Sequence, residues 1–169
     1  SRDHTIYISR SGLVTITGGK WTTYRKMAED TIDQAATVAY LDDRPCVTYE
    51  LHIHGYHNHA DKFGDLAVYG ADAAGIRDLL NEKPELNEPI HPRLHNIAAE
   101  AVWAVRHEMA RTLEDFLARR TRALLLDARA SMEAAPKVAQ LMAEELGRDE
   151  DWIQKQVDDY HTLARGYLL

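Results

Sequence analysis

The chain has 169 residues, of which 45% are hydrophobic and 28% are charged, and its formal net charge at pH 7 is −7. This length suffices for one hydrophobic core with an appendage, and the acidic balance argues against a nucleic-acid-binding face. The chain contains no apolar run of membrane-spanning length and no signal-peptide pattern, and its single cysteine, Cys46, excludes an intrachain disulfide. We therefore expect a cytosolic protein that binds no nucleic acid.

The first elements of the chain read as a β-hairpin followed by a helix. Residues 4–8 alternate between apolar and polar side chains, and Arg10-Ser11-Gly12 has the composition of a turn. The β-branched run over residues 13–17 is expected to pair back on the first strand. Apolar residues at helical spacing then predict a helix from about Tyr24 to Val38.

Between the hairpin and this helix lies the stretch Gly18-Gly19-Lys20-Trp21-Thr22-Thr23-Tyr24-Arg25. Glycines let the main chain approach a ligand closely, and the N–H groups of a first helical turn lack helical acceptors. With Lys20, these groups favour a phosphate, a carboxylate or an electron-rich cofactor edge. The alternative interpretation is a tight connection with a solvated lysine. The Walker lysine pattern and the Gly-x-Gly dinucleotide fingerprint are both absent from the sequence.

The remainder of the chain is predicted to be mostly helical. A polar segment ending in Pro45 is the best linker candidate, and the alternation over residues 47–53 predicts a strand. Helices are expected over Asp72–Leu80, Pro92–Ala110, from near Leu113 and over Asp149–Tyr167. Thr112 and Asp115 have capping-box spacing, Pro136 suits a first helical turn, and Gly147 suits a helix end.

Two side-chain clusters are compatible with more than one interpretation. Four imidazoles, those of His52, His54, His57 and His59, are dense enough to hold zinc, although strand alternation would separate the first two from the others. The stretch from Arg106 to Arg122 is rich in arginine and carboxylates. It is interpreted either as an internal ion-pair network between helices or as a surface that meets another domain or a partner.

Two stretches carry a resemblance to a known family. The opening Ser1-Arg2-Asp3, a hairpin and Gly-Gly-Lys-Trp-Thr-Thr-Tyr-Arg-Lys-Met-Ala-Glu resemble the end of the flavin domain of FAD-dependent glycerol-3-phosphate dehydrogenases. Residues 101–115, with their continuation to Arg122, resemble that family's C-terminal helical domain. The resemblance covers most of the chain. It implies the C-terminal part of such an enzyme, with a mostly α fold in which a hairpin, loop and helix precede a helical domain.

The resemblance also implies domain limits and functional residues. Residues 1–40 would be the C-terminal edge of the FAD-binding domain, and residues 41–169 the helical domain with a short initial strand. Arg2 and Lys20 would be catalytic. The residues implied to bind FAD are Gly18, Gly19, Lys20, Trp21 and Thr22. The family has no metal role for the histidine region, and the general base and the FAD pyrophosphate site would lie outside this chain.

The activity implied is oxidation of sn-glycerol 3-phosphate to dihydroxyacetone phosphate by hydride transfer to FAD, with electrons passing to quinone. The chain alone is expected to be inactive. The parent would be cytoplasmic, with peripheral association at the inner face of the cell membrane and a homodimer both compatible with the resemblance. Two alternatives stay open: a related FAD-dependent oxidase acting on glycerol 3-phosphate or an amino acid, and a non-catalytic dimerisation or membrane-docking module.

Overall fold

The computed structural model describes residues 3–168. Arg2, a predicted catalytic residue, lies outside the described residues. Contacts divide the chain into two units, residues 1–53 and residues 54–169, which are described separately below. The predicted mostly α fold with a leading hairpin and helix is confirmed. No helix in the described range 3–168 combines the length and the apolar character needed to cross a bilayer.

The first unit begins with an antiparallel hairpin. Strand β1 (His4–Ile8) pairs with β2 (Val14–Gly18), with Ile6 opposite Ile16. Gly12 in the connecting turn has φ of 84°, a conformation that favours glycine. A 3₁₀ turn at Trp21–Thr23 then leads into helix α1 (Tyr24–Val38).

The first unit buries none of its described side chains. Every residue from 3 to 53 is exposed or partly exposed, including large side chains such as Trp21, Tyr24 and Ile32. The strand predicted over residues 47–53 is wrong, because this segment forms a turn and irregular backbone. In the described part of the chain, β1 and β2 form the only sheet, so the alternating segment has no strand to pair with.

The second unit contains five helices in its described residues. Irregular 3₁₀ turns over Ala60–Asp72 and Pro84–Asn87 flank helix α2 (Ala73–Glu82). The remaining helices are α3 (Ala98–His107), the single turn α4 (Ala123–Leu126), α5 (Ala128–Leu146) and α6 (Glu150–Arg165). A π-helical turn, Asp115–Arg120, lies between α3 and α4.

Two apolar clusters hold the second unit together. The larger joins α3, α5 and α6 around Phe116, Leu117 and Met142, all completely buried. The smaller packs Ile76 of α2 against Val102 and Trp103 of α3. Alanines on the facing sides of α3 and α5 allow close approach of the helices, and this packing supplies the hydrophobic stabilisation of the unit.

Several predicted helix limits are corrected by the structure. The helix predicted from Pro92 begins only at Ala98, where the Glu100 carboxylate accepts the N–H of Ile97 at 2.6 Å. Pro136 lies inside α5 and not in a first helical turn. The helix start near Leu113 and the helix end at Gly147, which has φ of 64°, are confirmed.

Candidate functional site

The turn between β2 and α1 depends on its two glycines. Gly18 and Gly19 have φ of 85° and 77°, and the Gly19 N–H donates to the Asp3 carbonyl at 3.0 Å. A Cβ on Gly18 would lie 3.0 Å from the Asp3 oxygen, and a Cβ on Gly19 would lie 2.3 Å from Met27 Sδ. A side chain at either position would strain the backbone and crowd its neighbours.

Lys20 follows the glycines in an extended conformation, with its side chain exposed. Its main chain is bonded on both sides to one residue: Thr23 Oγ1 accepts the Lys20 N–H at 3.2 Å and donates to the Lys20 carbonyl at 2.9 Å. The N–H groups of Trp21 and Thr22 come before the first helical hydrogen bond and have no acceptor within the turn.

Trp21 presents its indole ring to solvent and is 87% exposed. The ring stacks on Tyr24 with centroids 5.7 Å apart and an interplanar angle of 24°. The structure therefore brings together all five predicted cofactor-binding residues, with an aromatic surface beside main-chain donors and a cation. Such a surface suits an electron-rich ring or an anion.

His54 and His57 of the predicted cluster make separate local contacts. His54 Nε2 lies 2.7 Å from Asp72 Oδ2, and His57 Nδ1 accepts the N–H of His59 at 3.0 Å. His52 lies in the first unit. Within residues 3–168, no three His, Cys, Asp or Glu side chains are grouped so that they could hold a metal ion.

The arginine-rich stretch forms ion pairs, one of which joins two helices, but its arginines are partly exposed and not internal. Arg106 of α3 makes a bidentate pair with Glu145 of α5, at 2.6 Å and 2.8 Å. Arg119 pairs with Glu114 at 2.5 Å and with Asp115 at 3.1 Å. The Arg106–Glu145 pair thus ties α3 to α5, and the pairs of Arg119 stabilise the π-helical turn.

The predicted capping box begins the segment that contains this turn. The Asp115 carboxylate accepts the Thr112 N–H at 3.0 Å, and the Asp115 N–H donates to Thr112 Oγ1 at 3.2 Å. The same carboxylate also accepts the Arg111 N–H. These hydrogen bonds to the ionised form lower the pKa of Asp115 despite the opposing effect of its partial burial.

An open groove of about 590 Å³ crosses the second unit, with His54, Asp72, Glu108 and Arg120 in its lining. Glu108 Oε2 is buried, and no described residue donates a hydrogen bond to it. Burial raises the pKa of this carboxyl, while Arg120 acts in the opposite direction. Arg120 itself donates to the Glu108 carbonyl at 2.5 Å.

Comparison with known proteins identifies the family. A family model described as the C-terminal domain of alpha-glycerophosphate oxidase matches residues 13–153. The chain belongs to this family. The matched range includes the Gly-Gly-Lys turn, α1 and the helices of the second unit up to the first turn of α6.

Curated relatives of the chain include mitochondrial glycerol-3-phosphate dehydrogenases. The protein of Mesocricetus auratus is 35% identical over 182 residues, which are 94% of this chain and 24% of that protein. The Homo sapiens protein is 33% identical over 190 residues, 99% of this chain and 25% of that protein. The chain therefore spans about a quarter of the length of these relatives.

A solved structure of a glycerol-3-phosphate dehydrogenase also matches most of the chain. The crystal structure of glycerol-3-phosphate dehydrogenase from Bacillus halodurans, complexed with FAD, matches with a TM-score of 0.70 and 25% identity. The match covers 95% of this chain and 37% of that chain. The predicted family resemblance is confirmed by these matches. The roles of the individual site residues stay predictions.

Two residues at the turn were missed by sequence reasoning: Thr23, which bonds the Lys20 main chain, and Met27, which packs against Gly19. Thr23 carried a signal, because a hydroxyl three residues after Lys20 has the spacing of a reciprocal cap. Met27 carried none, because it resembles any other apolar residue on the helix.

Proposed function

We propose that this chain is the C-terminal part of an FAD-dependent glycerol-3-phosphate dehydrogenase. The parent protein oxidises sn-glycerol 3-phosphate to dihydroxyacetone phosphate and passes the electrons to quinone. The main support is the family match over residues 13–153, which contains a turn suited to an electron-rich ring edge. The names of the curated relatives and the FAD complex of the Bacillus halodurans protein agree with this proposal.

The proposed domain division assigns residues 1–40 to the edge of an FAD-binding domain and the helical domain to the residues that follow. The exposed apolar side chains between residues 3 and 40, such as Trp21 and Ile32, support this assignment, because such surfaces are usually covered in a complete domain. The segment after Tyr40 contacts α1, since Arg25 donates to Thr48 at 3.2 Å and lies 5.5 Å from the Tyr49 ring centroid. It is the connection between the two domains.

The residues of the turn fit a flavin ring. Gly18 and Gly19 allow the positive φ angles of the turn, and Trp21 and Thr22 offer main-chain N–H groups beside Lys20. FAD supplies the hydride acceptor when it is bound. With FAD bound, Lys20 and the two N–H groups would stabilise negative charge on the flavin ring. Lys20 and Arg2 also attract the dianionic phosphate of the substrate.

The general base and the FAD pyrophosphate site are proposed to lie in the rest of the parent protein. The 169-residue chain alone is therefore expected to show no turnover with glycerol 3-phosphate and a dye acceptor. Turnover by the isolated chain would contradict this assignment of the machinery.

The electron acceptor and the cellular location of the parent protein are part of the same proposal. A membrane quinone can be reduced only by a protein that meets the bilayer, so we place the parent at the inner face of the cell membrane, on its cytoplasmic side. Sedimentation of the full-length protein with quinone-containing liposomes tests this location. Light scattering distinguishes a homodimer from a monomer.

A second candidate function is favoured by the description of the family model, which names an oxidase. An oxidase would transfer electrons from the reduced flavin to oxygen and release hydrogen peroxide. Stoichiometric peroxide from the full-length protein, with no quinone reduction, would select this second candidate.

The first experiment is an anaerobic visible spectrum of the full-length protein before and after addition of glycerol 3-phosphate. A yellow protein that bleaches supports flavin, substrate and hydride transfer together. In the Lys20→Gln variant, bleaching is expected to be slower by about a hundredfold. Lys26→Gln is the matched control, because Lys26 lies on α1 and pairs with Asp30 at 2.8 Å. A colourless wild-type protein would contradict the proposed function.

A further inference from the structure

Thr23 is the residue that fixes the position of Lys20. Its hydroxyl accepts the Lys20 N–H at 3.2 Å and donates to the Lys20 carbonyl at 2.9 Å, and its own N–H donates to the same carbonyl at 2.9 Å. Three hydrogen bonds therefore connect one partly buried threonine to both peptide groups of Lys20. The Lys20 side chain itself is exposed.

The two glycines before Lys20 are held by contacts to other residues. Gly18 lies opposite His4 in the hairpin, and the Gly19 N–H donates to the Asp3 carbonyl at 3.0 Å. These contacts hold the two glycines, whereas Thr23 holds the N–H and the carbonyl of Lys20 itself. The lysine side chain adds four rotatable carbon links between the backbone and the ammonium group. A defined position for that ammonium group requires a fixed Cα, and the Thr23 hydrogen bonds provide it.

We propose that Thr23 is a positioning residue for Lys20 in the hydride-transfer reaction, an inference that rests on the proposed function. Thr23 acts through the Lys20 main chain. Thr37 gives a matched comparison, because its hydroxyl on α1 donates to the Asp33 carbonyl at 3.0 Å, far along the sequence from the turn.

The test uses the full-length protein with three variants: Thr23→Val, Thr23→Ser and the control Thr37→Val. In Thr23→Val, the Lys20 amide is expected to exchange with deuterium about tenfold faster, and kcat to fall by about tenfold to a hundredfold. Flavin content is expected to stay at the wild-type level. Thr23→Ser keeps the hydroxyl and is expected to restore both values to within about threefold. Thr37→Val is expected to match the wild type in Lys20 amide exchange and in kcat.

The outcomes separate this inference from the proposed function. Wild-type exchange and wild-type kcat in Thr23→Val would overturn the positioning role even if the protein is a flavoenzyme. A colourless wild-type protein would overturn the proposed function and, with it, the catalytic role of Thr23. If Thr23→Val does not fold, Thr23→Ala and Thr23→Ser are compared by the same two measurements, and equal values in both would overturn the inference.

Discussion

His161 on α6 contacts the carbonyl oxygen of Met132 on α5, with Nε2 at 3.0 Å from that oxygen. In a regular helix this carbonyl would accept the N–H of residue 136, but residue 136 is a proline and has no N–H. The His161 side chain thus supplies the donor that the proline removes. The hydrogen bond that α5 lacks at Pro136 is thus replaced by a contact that connects α6 to α5.

Replacing His161 by leucine leaves the Met132 carbonyl without this donor. We expect the free energy of unfolding to fall by about 1–3 kcal/mol, as urea denaturation would measure. In a Pro136→Ala background the helix regains its own N–H donor, so the same His161→Leu change is expected to cost less. Equal losses in the two backgrounds would contradict this explanation.

Gly64 and Gly70 form a matched pair for testing close backbone packing. Their backbone angles are nearly equal, with φ of 62° and 55° and ψ of −128° and −126°. A Cβ on Gly70 would lie 1.8 Å from the Gly55 carbonyl oxygen, whereas a Cβ on Gly64 would meet no atom within 4 Å. Alanine at Gly64 should therefore cost only the backbone strain, about 1–3 kcal/mol. Alanine at Gly70 should cost at least about 2 kcal/mol more. Similar unfolding midpoints for the two variants would contradict the packing argument.

The Arg106–Glu145 pair should make stability depend on pH. Hydrogen bonds from Arg106 lower the pKa of Glu145, so its contribution is fully present above the unfolded-state pKa of about 4.3 and is lost as the pH falls through the folded-state pKa. Glu145→Gln is expected to cost about 1 kcal/mol at neutral pH and to converge with the wild type in acid. Glu144→Gln, at the exposed neighbouring position, is the control. A constant difference across the titration would refute the assignment.

Glu108 should show the opposite pH dependence. Burial raises its pKa, so the folded state holds the proton more tightly than the unfolded state, and its contribution becomes less favourable as the pH rises above about 4.3. The stability of Glu108→Gln relative to the wild type is therefore expected to increase from about pH 4 to about pH 7. Urea unfolding at several pH values measures this change, and parallel curves would count against a raised pKa.

Local chemistry made part of the fold predictable. The Thr112–Asp115 cap and the Gly147 helix end were correctly predicted, because their signals act over a few residues. The strand predicted over residues 47–53 was wrong, because alternating apolar and polar residues form a strand only when a partner strand exists. Pro136 was misplaced because the donor that compensates for it lies 25 positions later in the sequence, at His161.

The candidate site also contains features that the sequence predicts and features that depend on the three-dimensional packing. Adjacent residues carry the glycine turn and Lys20, so a sequence pattern is enough to locate them. The contact of Met27 with Gly19 depends on how α1 leaves the turn, which becomes visible only in three dimensions. The bidentate Arg106–Glu145 pair depends on the packing of α3 against α5, and composition alone indicated only that such pairs would occur.

The lack of buried side chains between residues 3 and 53 has a thermodynamic consequence. In the isolated chain, a segment with so little internal packing gains stability from any ligand that binds its folded form, so its melting temperature is expected to rise with the concentration of that ligand. Residues 54–169 instead melt at a temperature set by their own apolar clusters.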